Sequence, residues 1–101
     1  MTKAEIFEAL RPVVDPELGI SIVDLGLIYD AEADEEKKAV KIIMTLTSPG
    51  CPAGPDIMSA VEHTLRQSTS YQEVKVELVW EPKWDPKEMA SDAAKDVLGI
   101  W

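Results

Sequence analysis

Residues 40–47 set Val40, Ile42, Met44 and Leu46 in alternation with Lys41, Ile43, Thr45 and Thr47. A two-residue period sends successive side chains to opposite faces of a pleat, so this stretch reads as a strand with one buried face. Val74, Val76, Leu78 and Trp80 repeat the pattern against Lys75, Glu77, Val79 and Glu81. Between the two, Ile57, Ala60, Val61 and Leu65 mark an amphipathic helix, and Pro55 suits its first turn, where amides need no intrahelical acceptor. Strand, helix and strand joined this way make a crossover, which links parallel strands. The loop after each strand therefore leaves the same sheet edge, and in such sheets ligands favour the crevice beyond the carboxyl ends of the strands.

The remaining elements attach to this unit. Residues 27–33 read as a further strand, with Asp34-Glu35-Glu36-Lys37 as the hairpin turn that makes it antiparallel to the next. Thr2 and Glu5 fit a capping box ahead of Ile6, Phe7, Leu10 and Val14, which predicts an opening helix of about three turns. Asp15-Pro16-Glu17-Leu18-Gly19 is turn chemistry, and a short loop runs on to Gly26. Asp85 as N-cap, Pro86 at the first position, Glu88 and the late Gly99 predict one closing helix. The order is αββαβα: an α/β (α+β) domain of two layers with a small mixed three-stranded sheet. A chain of 101 residues reads as one domain over 1–101 and can bury about 60 to 65% of its unfolded surface.

Charge narrows the function. A net charge of -9 with a pI near 4.4 repels phosphate backbones and anionic membranes, and the lysines and arginines form no basic stripe, so no nucleic-acid or membrane partner is expected. The apolar runs fall short of the ~20 residues that span a bilayer. Glu5 and Glu8 interrupt what a secretory signal would need as an apolar core. A lone cysteine makes no intrachain disulfide, so a cytoplasmic location is expected. No Walker A, dinucleotide fingerprint or Cys-x-x-Cys pair occurs, which argues against nucleotide or dithiol chemistry.

That cysteine, Cys51, lies in Thr47-Ser48-Pro49-Gly50-Cys51-Pro52, where strand gives way to helix. Free cysteines are often small buried hydrophobes, but flanking turn formers and the amides of Ala53, Gly54 and Asp56 suit an accessible thiolate. Nearby carboxylates would oppose the amides by raising its pKa. His63 is ten residues beyond Ala53, about 15 Å along a helix, and off the apolar face, so it reads as a solvated histidine and not a partner base. Topology brings Asp24, Trp84 and Asp85 toward Cys51, with Glu17 in the preceding loop. Asp15 reads as turn former, Asp85 as N-cap, Glu17 as a solvated charge, Trp80 as core and Trp84 as helix staple or site wall. Asp24, between Val23 and Leu25, is the preferred functional carboxylate. On the other sheet face, Ile28, Ile43 and Val79 form a small apolar patch that, with Trp101, leaves room for a homodimer.

Three stretches carry a resemblance. They are Asp15-Pro16-Glu17-Leu18-Gly19-Ile20 continuing through Val23-Asp24-Leu25-Gly26-Leu27-Ile28-Tyr29-Asp30, then Met44-Thr45-Leu46-Thr47-Ser48-Pro49-Gly50-Cys51-Pro52, and finally Val79-Trp80-Glu81-Pro82-Lys83-Trp84 with Met89-Ala90-Ser91 and Leu98-Gly99. Together they resemble the SufT/PaaD-like family of small iron-sulfur cluster assembly factors, from about Ile6 to Gly99. The resemblance implies an iron-sulfur assembly type of domain that matures iron-sulfur proteins and does not turn over a metabolite. Cys51 matches the family cysteine, and Glu17 and Asp24 match its acidic positions. Lys83 stands where close relatives often carry proline, and the ATPase domain fused in some relatives is absent. The expected function is transfer or insertion of clusters, Cys51 transiently ligating iron or an iron-sulfur cluster or meeting client cysteines. Expected partners are iron-sulfur clients and other cluster-assembly proteins. Two other readings stay open: a thiol hydrolase or peroxide-reducing enzyme with Cys51 as nucleophile, which lacks a base, and a scaffold that binds through the apolar patch.

Overall fold

The computed structural model describes residues 2–47, 50 and 52–99. Helix α1 (Lys3–Leu10) opens on the expected capping box: the Glu5 amide donates to Thr2 Oγ1 at 3.2 Å and the Thr2 amide donates to Glu5 Oε1 at 2.8 Å. It is shorter than the sequence suggests, because Pro12 has no amide with which to continue the ladder. Ile6 and Leu10 anchor it in the core.

Where the sequence suggests only a turn and a loop, two short strands, β1 (Val14–Asp15) and β2 (Ile20–Ser21), pair antiparallel. A single helical turn, α2 (Ile22–Leu25), follows, capped by Ser21 and closed by Gly26 at φ 79°. Elements this short carry too little periodicity to be read from sequence. Gly26 is required twice over, by its left-handed backbone and because a Cβ there would sit 2.3 Å from the Met89 carbonyl oxygen.

Strands β3 (Ile28–Asp34), β4 (Ala39–Met44) and β5 (Glu73–Leu78) form the mixed sheet in the order β3-β4-β5. β3 is antiparallel to β4, with Ala31 opposite Ile42; β4 is parallel to β5, with Ile42 opposite Val76. The crossover between them is α3 (Gly54–Ser68), as the alternating and helical periods require. Val40, Ile42 and Met44 of β4 share one buried core with Ile57, Val61 and Leu65 of α3, α3 packs on β5, and α1 packs on both α3 and β3. Fully burying one such side chain stabilises by about 1.5–3 kcal/mol, so this two-layer contact dominates the fold.

Three local expectations are corrected. The closing helix is two, α4 (Pro86–Met89) and α5 (Asp92–Leu98), because Ala90 turns extended at ψ 148° and Ser91 starts a new cap, its Oγ accepting from the Ala94 amide. Trp80 is not core but 41% exposed, since β5 ends at Leu78 and alternation no longer dictates facing beyond it. Ile28 belongs to the core and not to the outer patch: a bulge between Ile28 and Asp30 inserts Tyr29 and shifts the parity of the strand. Among the described residues no helix is long and apolar enough to cross a membrane.

Candidate functional site

The segment leading into the cysteine loop is fixed by its backbone. The Thr45 amide donates to the Leu27 carbonyl at 2.9 Å, and the Val79 amide to the Met44 carbonyl at 2.8 Å, so both loops leave the sheet side by side. Leu46, buried, closes against the start of α3: a Cβ on Gly54 would come 2.7 Å from Leu46 Cδ1. The two ends of the loop are thereby held together. Cys51, with Ser48 and Pro49, lies outside the described residues. Ala53, the N-cap of α3, offers its first-turn amides no side-chain acceptor.

Across from this segment stands the stretch after β5. Thr45, Leu46 and Thr47 on one side and Trp80, Glu81, Lys83 and Trp84 on the other line a cavity of about 220 Å³. Trp84 is a wall of this cavity. Trp84 is also a staple, because its Nε1 donates to the Leu25 carbonyl at 2.8 Å. Tyr29 holds the same stretch, its hydroxyl donating to the Pro82 carbonyl at 2.7 Å. Burial pushes the Tyr29 pKa up. Thr45 Oγ1, buried, has no hydrogen-bond partner among the described residues.

The acidic candidates separate. Asp24 receives Arg11 Nη1 on its Oδ1 at 3.1 Å, while its carbonyl accepts the Ser91 amide at 2.7 Å. Glu8 first and Asp24 second push the Arg11 pKa up, so the guanidinium is a fixed positive charge beside Asp24. Asp85 is exposed and caps α4 by accepting the Lys87 amide at 3.0 Å. Asp24 and Trp84 thus meet at α2, and Asp85 follows Trp84 as the cap of α4. Glu17 stands apart: it is exposed, and no described bond joins it to the other three. Its amide donates to Oδ1 of Asp15, a buried turn former as the sequence suggests.

His63 is exposed on α3. Among the described residues no three His, Cys, Asp or Glu side chains come together as a metal-holding group. Arg11 and Tyr29 were not foreseen as site neighbours, because their contacts join distant stretches and leave no local pattern.

A small mixed-sheet domain that sets the end of its central strand segment, Thr45 to Thr47, against a tryptophan-lined wall is the class these features define. The model of the family described as "Iron-sulfur cluster assembly protein" matches residues 3–78, and the chain belongs to that family. It is 46% identical over 98 residues to the "Fe-S protein maturation auxiliary factor YitW" of Bacillus subtilis, covering 97% of this chain and 94% of that one. Identity to the "Fe-S protein maturation auxiliary factor SufT" of Staphylococcus aureus is 47% over 88 residues, covering 87% and 98%. Among solved structures, a domain of unknown function from Bacillus anthracis superposes with a TM-score of 0.88 at 42% identity, covering 98% of this chain and 92% of that one.

Proposed function

We propose that this protein is an iron-sulfur maturation factor in which the Cys51 thiolate transiently ligates iron or a cluster as cargo, or contacts the client cysteines that receive it. The observation that carries the reading is the cavity enclosed between Thr45–Leu46–Thr47, which run directly into the Cys51 loop, and the segment from Trp80 to Trp84. Names of relatives such as the maturation factors of Bacillus subtilis and Staphylococcus aureus point the same way.

One thiolate cannot complete a cluster's ligand set, because soft metals and clusters take several. The remaining ligands come from the client or from a second assembly protein, so the handover is a shared coordination step. The uncapped first turn of α3 favours negative charge near its start, and Cys51 precedes the N-cap by two residues. Trp84 walls the site, Asp85 stands beside it, Asp24 tunes it or docks the partner, and Glu17, set apart and exposed, serves partner docking. In this reading residues 1–101 act as one domain in the cytoplasm, with no nucleotide of its own.

The test compares wild type with Cys51→Ala in cells that lack the protein, reading the activity of an iron-sulfur enzyme. Loss of that activity at equal protein level is the expected result. Equal activity would defeat the cysteine-based mechanism. A parallel arm incubates both forms anaerobically with iron and sulfide, and the visible absorption should depend on Cys51.

A further inference from the structure

The stretch from Trp80 to Ser91 lies outside the sheet and beyond the residues that the family model matches. It is laid across the N-terminal half of the chain and held there at separate points. The Tyr29 hydroxyl binds the Pro82 carbonyl at 2.7 Å, Trp84 Nε1 binds the Leu25 carbonyl at 2.8 Å, and the Ser91 amide binds the Asp24 carbonyl at 2.7 Å. Gly26 lets the backbone of Met89 approach at its other end.

Two of these points bear on the cavity: the Trp84–Leu25 bond anchors a lining residue directly, and Tyr29 fixes the backbone beside it. The acceptor of Tyr29, Pro82, falls between the lining residues Trp80, Glu81, Lys83 and Trp84. The same hydroxyl reaches Met89 Sδ at 3.6 Å. It therefore touches the strap on both sides of Trp84, and Tyr29 itself is placed by the bulge that inserts it into β3. A tyrosine whose hydroxyl is used in this way has a duty beyond filling space, because a phenylalanine would pack equally well.

We infer that Tyr29 is a positioning residue for the site: by fixing the Pro82 carbonyl it holds the Trp80–Trp84 wall across the cavity from Thr45, Leu46 and Thr47. The inference rests on the reading that this cavity serves maturation. Tyr29 acts through Trp84 and touches no cargo itself.

The test is Tyr29→Phe, which deletes one oxygen and keeps the ring, examined in the full chain at a temperature where circular dichroism shows it folded. Exchange of the Trp84 indole N–H with solvent, followed by NMR, should quicken about fivefold, the loss expected for one hydrogen bond. Maturation of the iron-sulfur enzyme in cells should fall several-fold at equal protein level. In a Trp84→Ala background, Tyr29→Phe should cause no further fall, since the two act through one element. Wild-type indole exchange, wild-type maturation, or a loss that adds to that of Trp84→Ala would each overturn the inference. Failure of the cysteine reading is separate: it shows as full activity in Cys51→Ala, a variant whose wall is untouched, and leaves the indole measurement to judge Tyr29.

Discussion

Gly26 is where a single methyl group has the largest predictable consequence. Its φ of 79° is strained for any L side chain, and the backbone of Met89 already occupies the space. Gly26→Ala is expected to lose on the order of 2 kcal/mol or more in denaturant unfolding, because the two penalties add and a backbone atom cannot swing aside. Tyr71 gives a pH-dependent counterpart. Buried, and with its hydroxyl donating to Glu35 Oε1 at 2.6 Å, its pKa is pushed up to about 12, first by burial and then by the carboxylate. A raised folded pKa means that the stabilisation is complete below the unfolded value near 10 and is lost as pH climbs toward 12. Tyr71→Phe should flatten that alkaline loss, as read from thermal midpoints across the same range. At this scale the sequence was legible wherever chemistry is local: Asp15 as a turn former and Asp85 as a cap are both as expected, since each binds amides two residues ahead. Arg11 and Tyr29 were illegible because each acts on a residue far along the chain.

At the level of elements, α5 depends on a cap that divides what would otherwise be one helix. Ser91 Oγ accepts the Ala94 amide, while the Ser91 amide goes to Asp24. Ser91→Ala removes the first bond and leaves the second, so it should cost about 1 kcal/mol in chemical denaturation and fray α5 without freeing the residue 91 backbone from α2. Hydrogen exchange confined to the first turn of α5 would check this locality. The long elements were readable because their periods persist over several residues, as in β4 and α3. The bulge in β3, the brief β1 and β2, and the break at Ala90 were not, because each is a departure from a period imposed by what the segment packs against. The outer apolar patch shrank for the same reason once Ile28 turned inward.

For the molecule as a whole, the net charge of -9 is an internal opponent of folding. Among the described residues surface ion pairs such as Lys41 with Glu77 and Arg66 with Glu62 offset it, and pairs this exposed stabilise little. Added salt should therefore raise the thermal midpoint at neutral pH by screening like-charge repulsion. A midpoint that falls with salt would mean that the ion pairs outweigh the repulsion.

From the chain's own order came the strands, the crossover helix and the position of Cys51 at the handover between them, because hydrophobic period and turn chemistry are properties of neighbouring residues. Only the folded chain could decide that Trp80 faces solvent, that Asp24 is claimed by Arg11 and Ser91, and that Tyr29 and Leu25 hold the tryptophan wall in place. Those contacts span 53 and 59 residues for Tyr29 and Trp84, and a contact at such separation exists only after the core has packed.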